Sequence, residues 1–298
     1  MPYDKINKAK GRGKKKMDAF IKDKINKTCE NILKKYSDKR VCEIPSLKYK
    51  ETGYKMPGEL PKVNEDWKTF GRNDRVYGRD KHFWFYTSLT TPEVKINERA
   101  ELEVVTGAEG KWAADNPQGL IYINGEAIQG LDTNHTRVRL DGGKRYDIII
   151  YFYTGMTDFK SEVNLNVIVK NLDVEKLYYD IKVPYDAAMC FGEDDYNHIK
   201  TIKHLETACN IIDAREPQSE KFLESVRKAD DYLRNEYYGK ECGGIDAVVN
   251  YVGHTHIDIA WLWTLDQTKE KVQRSFSTVL KLMDEYPEYV FMSSQPQL

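Results

Sequence analysis

Between His82 and Pro184 the chain is written in short runs of β-branched and aromatic residues, each closed by turn-forming residues: 82–87, 100–105, 119–123, 136–140, 146–153, 163–169 and 177–183. Runs this short, at this spacing, predict strands of an antiparallel β-sandwich. Ile123-Asn124-Gly125-Glu126 sets Asn-Gly between two apolar runs, a strong hairpin signal because a type I′ turn needs positive φ at both central residues. Asp141-Gly142-Gly143-Lys144 supplies a second tight turn. Antiparallel pairing follows from both.

The flanking segments have a different period. From Lys15 to Tyr36 apolar residues fall at Phe20, Ile21, Ile25, Cys29, Ile32, Leu33 and Tyr36, tracing one helical face. Residues 41–75 hold Pro45, Pro57, Pro61 and several glycines without a sustained period, which predicts an extended connector. Beyond Pro184, helices are predicted over 187–212 and 217–237, and Gly243-Gly244 then breaks the chain. A buried strand over 245–252, a helix over 265–286 with Val272, Phe276, Val279, Leu280 and Met283 inward, and a strand over 289–293 make a parallel α/β unit. One such unit cannot form a sheet, so the domain that starts there is read as cut short at Leu298. The fold class is therefore multi-domain α+β. It comprises an N-terminal helix and connector (1–70), an antiparallel β-sandwich accessory domain (71–184), a helical linker region (185–244) and the truncated start of an α/β barrel-like domain (245–298).

With 298 residues, 40% apolar and 12% aromatic, the chain can bury two domain cores. Its net charge of -1 lacks the basic excess of a nucleic-acid binder. Lysines crowd the first forty residues, Lys14, Lys15 and Lys16 among them, and read as the solvated face of the first helix. The first twenty-five residues contain no apolar core of signal-peptide type, and no run of about eighteen apolar residues suggests a membrane span, so a cytoplasmic protein is expected. Five cysteines (Cys29, Cys42, Cys190, Cys209, Cys242) follow no disulfide or zinc-ribbon spacing. The Asn26-Lys27-Thr28 and Asn134-His135-Thr136 patterns matter only for a secreted chain.

The stretch that carries chemistry is Gly253-His254-Thr255-His256-Ile257-Asp258-Ile259-Ala260-Trp261-Leu262-Trp263, placed where the first α/β strand ends. Ligands of parallel α/β folds gather outside the carboxyl ends of the strands. His254, His256 and Asp258 are alternate residues, which share a face in extended backbone, and two imidazoles with a carboxylate suit zinc or a similar divalent metal. Trp261 and Trp263 are equally readable as core or as platforms for the apolar face of a ligand ring.

This motif, followed by Arg274-Ser-Phe-Ser-Thr-Val-Leu280, Glu285-Tyr-Pro-Glu288 and Ser294-Gln-Pro-Gln297, resembles the opening of the catalytic domain of glycoside hydrolase family 38, the retaining α-mannosidases. Upstream, Asn116-Pro-Gln-Gly-Leu-Ile-Tyr-Ile-Asn-Gly125 and Gln129-Gly-Leu-Asp-Thr-Asn-His135 resemble the β-domain of the family's cytosolic and bacterial branch. The resemblance implies that His256 and Asp258 ligate the metal, that mannose stacks on Trp261, and that His254 supports the ligands from behind. It implies zinc, with cobalt as the alternative in the cytosolic branch, and a mannose-containing oligosaccharide as substrate. Neither nucleic acid nor membrane is implied as a partner, whereas members of the branch often form homo-oligomers. The family's nucleophile, general acid and a further His ligand fall beyond Leu298, so the 298-residue chain alone is expected to be inactive.

Two other readings compete. A metal-dependent amidohydrolase or phosphoesterase also ends its first barrel strand in His-x-His, but Asp258 with Trp261 three residues on, and the large β-region ahead, argue against it. A non-catalytic carbohydrate-binding or scaffold fragment would use exposed Trp84, Tyr86, Trp112 or Tyr122, although aromatics in strands are more often core. His135 in its Asp-Thr-Asn-His turn reads as turn-stabilising.

Overall fold

The computed structural model describes residues 18–53, 59–110, 117–242 and 248–295. The basic run at Lys14–Lys16, the Gly243-Gly244 break and Trp112 lie outside them. The chain divides into two compact units, one taking 1–39, 96–98 and 170–248, the other 40–95, 99–169 and 249–298.

The first unit is helical. Residues 18–36 form α1, with a π turn at Thr28–Leu33. Then come α2 (Leu172–Met189), α3 (Tyr196–Ile211) and α4 (Glu220–Tyr232), the last running on into a π turn at Leu233–Tyr238. Each of α2, α3 and α4 starts on a side chain that satisfies an amide left without an intrahelical partner: Asn171 accepts from Val174, Asp195 from Asn197 and Ser219 from Phe222. Ile25, Cys29 and Leu33 of α1 are fully buried among Leu177, Ile181, Leu205 and Phe222, while Phe20 faces solvent. Burial pushes the Cys29 thiol up to about 12 and the Cys209 thiol up to about 11, which makes both inert packing groups.

Two expectations fail in this unit. Residues 177–183, expected as the last strand, are the middle of α2. Val174, Leu177, Ile181 and Ala188 recur at helical spacing on its buried side, and the Asn171 cap starts the helix, so burial period overrides β-rich composition. The stretch 187–212 is not one helix either, because α2 stops at Met189 and α3 starts at Tyr196 behind its own Asp195 cap.

The second unit is built on strands. In chain order they are β1 (Asp38–Glu43), β2 (Ser46–Thr52), β3 (Lys68–Gly71), β4 (Val76–Gly78), β5 (His82–Thr90) and β6 (Glu98–Val105). Then follow β7 (Gln118–Ile123), β8 (Glu126–Leu131), β9 (Arg137–Leu140), β10 (Arg145–Tyr153), β11 (Phe159–Ser161) and β12 (Asn164–Asn171). A six-stranded sheet runs β3-β2-β5-β10-β7-β8, antiparallel at every junction, and a four-stranded sheet runs β1-β12-β6-β9. Their inner faces share one core, with Phe83, Phe85, Ile148 and Ile150 from the first sheet against Leu102, Val104, Leu165 and Val167 from the second. This is the predicted sandwich. The β7–β8 hairpin turns at Asn124 (φ 52) and Gly125 (φ 91), both left-handed as the Asn-Gly signal requires.

Residues 41–75 are more than a connector: β2 and β3 extend the six-stranded sheet. Their solvent side is lysine-rich, as in Ser46-Leu47-Lys48-Tyr49-Lys50, and charge at an edge hides the alternation that marks a strand.

Strand alternation puts Trp84, Leu120, Tyr122 and Tyr151 on the sheet's other face, beside Trp67. Helix α5 (Leu265–Glu285) packs there, along β8. Thr264 and Gln267 close a capping box at its start. Of the residues expected inward, Val272, Phe276 and Val279 are half-buried. Leu280 and Met283 are exposed, and the deepest side chains are Gln267, Thr268 and Glu270.

The polar side of α5 is buried because the sheet offers it polar partners. Tyr151 Oη donates to Glu270 Oε1 at 2.6 Å and lies 2.6 Å from His82 Nδ1. Burial holds the His82 imidazole below its usual range, so it is neutral and donates Nδ1–H to the tyrosine oxygen. Gln267 donates to Tyr153, Tyr153 donates to Asp80 at 3.0 Å, and Arg274 donates to Gln118 while lying 3.9 Å from Glu270. At the far end, Arg139 pairs with Glu285 at 2.9 Å and donates to Tyr286 Oη at 3.0 Å.

Glu270→Ala removes the acceptor of the buried Tyr151 hydroxyl and the carboxylate that faces the Arg274 guanidinium. The expected cost is about 3–5 kcal/mol in urea unfolding, with a smaller loss in Glu270→Gln, which keeps the oxygen that Tyr151 reaches.

Candidate functional site

The strand ahead of α5 is shorter than expected. Of 245–252, residues 245–247 lie outside the described set and only Val252 is extended, opening β13 (Val252–His254), which pairs in parallel with β14 (Val290–Met292). Strand, helix, parallel strand is the predicted order. Gly253 leaves room on β13 for the Tyr289 ring, whose far end lies where a Cβ would be.

The loop from Thr255 to Thr264 is held from three sides. Ile257, the one buried residue of the motif, donates its amide to Gln295 Oε1 at 2.9 Å. Thr268, in the first turn of α5, accepts the Ala260 amide at 3.1 Å and reaches back to the Asp258 carbonyl at 3.4 Å. That hold suits the left-handed Ala260 (φ 60), a conformation disfavoured for alanine outside a fixed loop. Trp263 donates Nε1–H to the same Asp258 carbonyl at 3.2 Å and carries the Lys271 ammonium 4.1 Å above its ring.

Within this frame His256 Nε2 stands 2.9 Å from Asp258 Oδ1, and both side chains are open to solvent. His254 turns elsewhere, its Nε2 2.7 Å from Ser294 Oγ at the end of β14. Alternation alone suggested three donors on one face. The described residues hold no group of three or more His, Cys, Asp or Glu arranged for a metal, and the arrangement is a pair plus a tethered neighbour. The two tryptophans also divide: Trp263 is tied into the loop, while Trp261 is 60% exposed and meets it edge-on at 5.4 Å. Spacing could not find Ser294, Gln295 or Thr268, because their contribution depends on where the strand and helix come together.

A cleft of about 360 Å³ opens beside the motif. His254, His256 and Trp263 line one part of it, and Asp132 and His135 from the turn after β8 line another. Asp258 and Trp261 are not on its wall. Gly130 brings the β8 backbone against Arg274, where a Cβ would sit 3.0 Å from the arginine Cβ, and its amide donates to Thr278 Oγ1 at 2.9 Å. Asp132 accepts from the amides of Asn134 and His135, both at 2.8 Å, and from His135 Nδ1 at 2.8 Å. Burial alone would raise the Asp132 carboxyl, but the His135 imidazole and the two amides outweigh it and hold the group down to about 2. The same hydrogen bond pushes the His135 imidazole above its usual range. His135 is thus the turn-stabilising group expected, and it also faces the cleft. Of the aromatics considered as open sugar platforms, Trp84 and Tyr122 are buried in the sheet's outer face, while Tyr86 is half-buried and donates to Asp147 at 3.1 Å.

An antiparallel sandwich thus carries a parallel strand–helix–strand on its outer face, with a His–Asp pair just past the first strand's end. Residues 246–298 match the family model described as the glycosyl hydrolases family 38 N-terminal domain. The similarity extends upstream of that segment to curated alpha-mannosidases. The chain is 28% identical over 207 residues to alpha-mannosidase G of Dictyostelium discoideum, a match covering 60% of this chain and 18% of that protein. To alpha-mannosidase 2C1 of Homo sapiens it is 24% identical over 237 residues, covering 72% of this chain and 21% of that one. The chain thus spans about a fifth of the length of the curated relatives it matches. Among solved structures, a β-glucuronidase from an uncultured Clostridium sp. aligns over 45% of this chain and 29% of its own at 13% identity and a TM-score of 0.31, a likeness too slight to bear on fold or function.

Thr268→Val removes the oxygen that fixes the loop. It should cost about 1–2 kcal/mol in stability and speed hydrogen exchange at the Ala260 amide, with Thr268→Ser restoring both. The Asp132–His135 pair gives a pH window. His135, with its raised value, contributes stability that is full below about 6.5 and is lost as pH rises through its folded value. Asp132, depressed to about 2, contributes stability present above about 3.9 and lost as pH falls toward 2. The turn is therefore firmest between about pH 4 and 6.5, and an NMR titration should place the His135 midpoint above 6.5 and return it there in Asp132→Asn.

Proposed function

We propose that this chain supplies the accessory sandwich and the first metal-binding strand end of a cytoplasmic α-mannosidase. The enzyme would hydrolyse terminal α-linked mannose from oligosaccharides with retention, using zinc or cobalt. The observation that carries the reading is the His256–Asp258 pair, 2.9 Å apart at the carboxyl end of a parallel strand, within the segment matching the family 38 domain. Imidazole nitrogen and carboxylate oxygen are the donors that borderline divalent metals take, and two such atoms in contact can close on one ion. His254, held by Ser294, would steady the ligand loop from behind. Bound there, the metal would polarise sugar hydroxyls in support of an oxocarbenium-like transition state. Exposed Trp261 would stack on the apolar face of the mannose ring.

Retaining hydrolysis needs two carboxylates about 5 Å apart across the glycosidic bond. Asp258 is a metal ligand in this reading, so the nucleophile and the general acid belong to other parts of the protein. The α/β unit also leaves Tyr251, Leu262, Leu280, Val290 and Met292 exposed, an apolar surface on which further strands and helices of a barrel-like domain would pack. No helix among the described residues is long and apolar enough to cross a membrane, which accords with a cytoplasmic site of action.

Calorimetric titration of the 298-residue chain with zinc should show one site, lost in His256→Ala and in Asp258→Ala and weakened about 10–100-fold in His254→Ala. The 298-residue chain should not turn over an aryl α-mannoside. A protein of the relatives' full length should release mannose of retained configuration in a chelator-sensitive reaction. Zinc binding unchanged in both ligand variants, or an inverted product, would overturn the reading.

A further inference from the structure

The cleft has two walls of different origin, and only one belongs to the family's strand-end motif. The other is the turn Asp132–His135 of the accessory sandwich, set there by the close approach of Gly130 to Arg274. A turn of this kind is complete once Asp132 has accepted the amides of Asn134 and His135, and both bonds are present. The imidazole strengthens that turn and also presents its far edge beyond it. It is locked against the carboxylate through Nδ1 at 2.8 Å, which aims Nε2 away from Asp132 as a fixed donor, and the side chain is 63% exposed on the cleft side of the sheet. The neighbouring carboxylate keeps the ring protonated into a higher pH range than a free histidine. A fixed donor beside a carboxylate acceptor, in a cleft of small-ligand size, matches the alternating donors and acceptors of a vicinal diol.

We propose that the Asp132–His135 pair is a saccharide-binding subsite of the accessory domain. It would hydrogen-bond hydroxyls of the sugar residue to which the terminal mannose is attached, and so select oligosaccharides over simple mannosides. The assignment rests on the α-mannosidase reading for the identity of the sugar. It gives the sandwich a part in choosing the substrate.

The test is an NMR titration of the 298-residue chain, labelled in its histidines and backbone amides, with α-linked mannobiose and separately with methyl α-mannoside. Mannobiose should shift the His135 ring and the Asn134 and His135 amides, and methyl α-mannoside should leave them in place. His135→Gln should weaken mannobiose binding about tenfold, the loss of one charge-assisted hydrogen bond. Ser275→Phe, which fills the cleft from α5 without touching the turn, should abolish the His135 shifts while leaving zinc binding intact; this guards against a His135 variant that merely unfolds its turn. Mannobiose that leaves His135 unmoved in a folded, zinc-binding chain would overturn the subsite and spare the metal reading. Shifts at His135 in a chain that binds no zinc would support the subsite and count against the metal reading.

Discussion

The contact between the polar side of α5 and the outer face of the six-stranded sheet decides where everything else in the second unit can stand. Glu270 is nearly inaccessible and sits among Tyr151, His82 and Arg274, three groups whose hydrogen bonds have direction. An apolar seam of the same area would tolerate sliding by a fraction of a turn, since dispersion and burial are non-directional. Here a shift of one residue would strand a buried carboxylate or guanidinium, at a cost of several kcal/mol. The helix is therefore fixed in register as well as in place. Because Thr268 on its first turn holds the Asp258 carbonyl and the Ala260 amide, that register passes directly to the His256–Asp258 pair.

The same seam explains which parts of the fold could be read from the chain. Strands on both sides of the Asn-Gly hairpin were legible because alternation and turn chemistry agree there: Ile121 and Ile123 face the core while Leu120 and Tyr122 face the helix. The helical face of α5 was read as Val272, Phe276, Val279, Leu280 and Met283, the natural choice if burial follows apolarity. Burial follows partners instead. Phe276 does pack, edge-on to Phe291 of β14 at 6.1 Å, but the deepest positions are polar because tyrosines and a histidine wait opposite them. That information is carried by residues more than a hundred positions away. The strand misread at 177–183 fails for a related reason, since Leu177 and Ile181 point to a helical core that includes α1.

At the site, the residue types were legible and their arrangement was not. His-x-His-x-Asp names a donor set, and in ideal extended backbone all three side chains would share a face. The backbone leaves that geometry after His254, where β13 ends, and by Ala260 it is left-handed. His254 thus stays with the sheet and finds Ser294 just past the end of the neighbouring strand, whereas His256 and Asp258 ride on the loop and find each other. The separation of His254 from the His256–Asp258 pair follows from the point at which the strand stops.

The sandwich meets α5 at one fixed place. A sandwich that served only as ballast could meet α5 anywhere along its length, and the turn after β8 could be any length. Instead Gly130 is pressed against Arg274, its amide is taken up by Thr278 on the same helix, and the next residues carry the Asp132–His135 pair to the cleft shared with His254 and His256. A Cβ at Gly130 would crowd the Arg274 Cβ at 3.0 Å, so glycine lets the backbone reach the helix without pushing it away. The register fixed by Glu270 sets the His256–Asp258 loop from one side, and the approach at Gly130 sets the second wall from the other. A change in the seam would move both walls of the cleft together, which ties the sandwich's packing to the shape of whatever the cleft accepts.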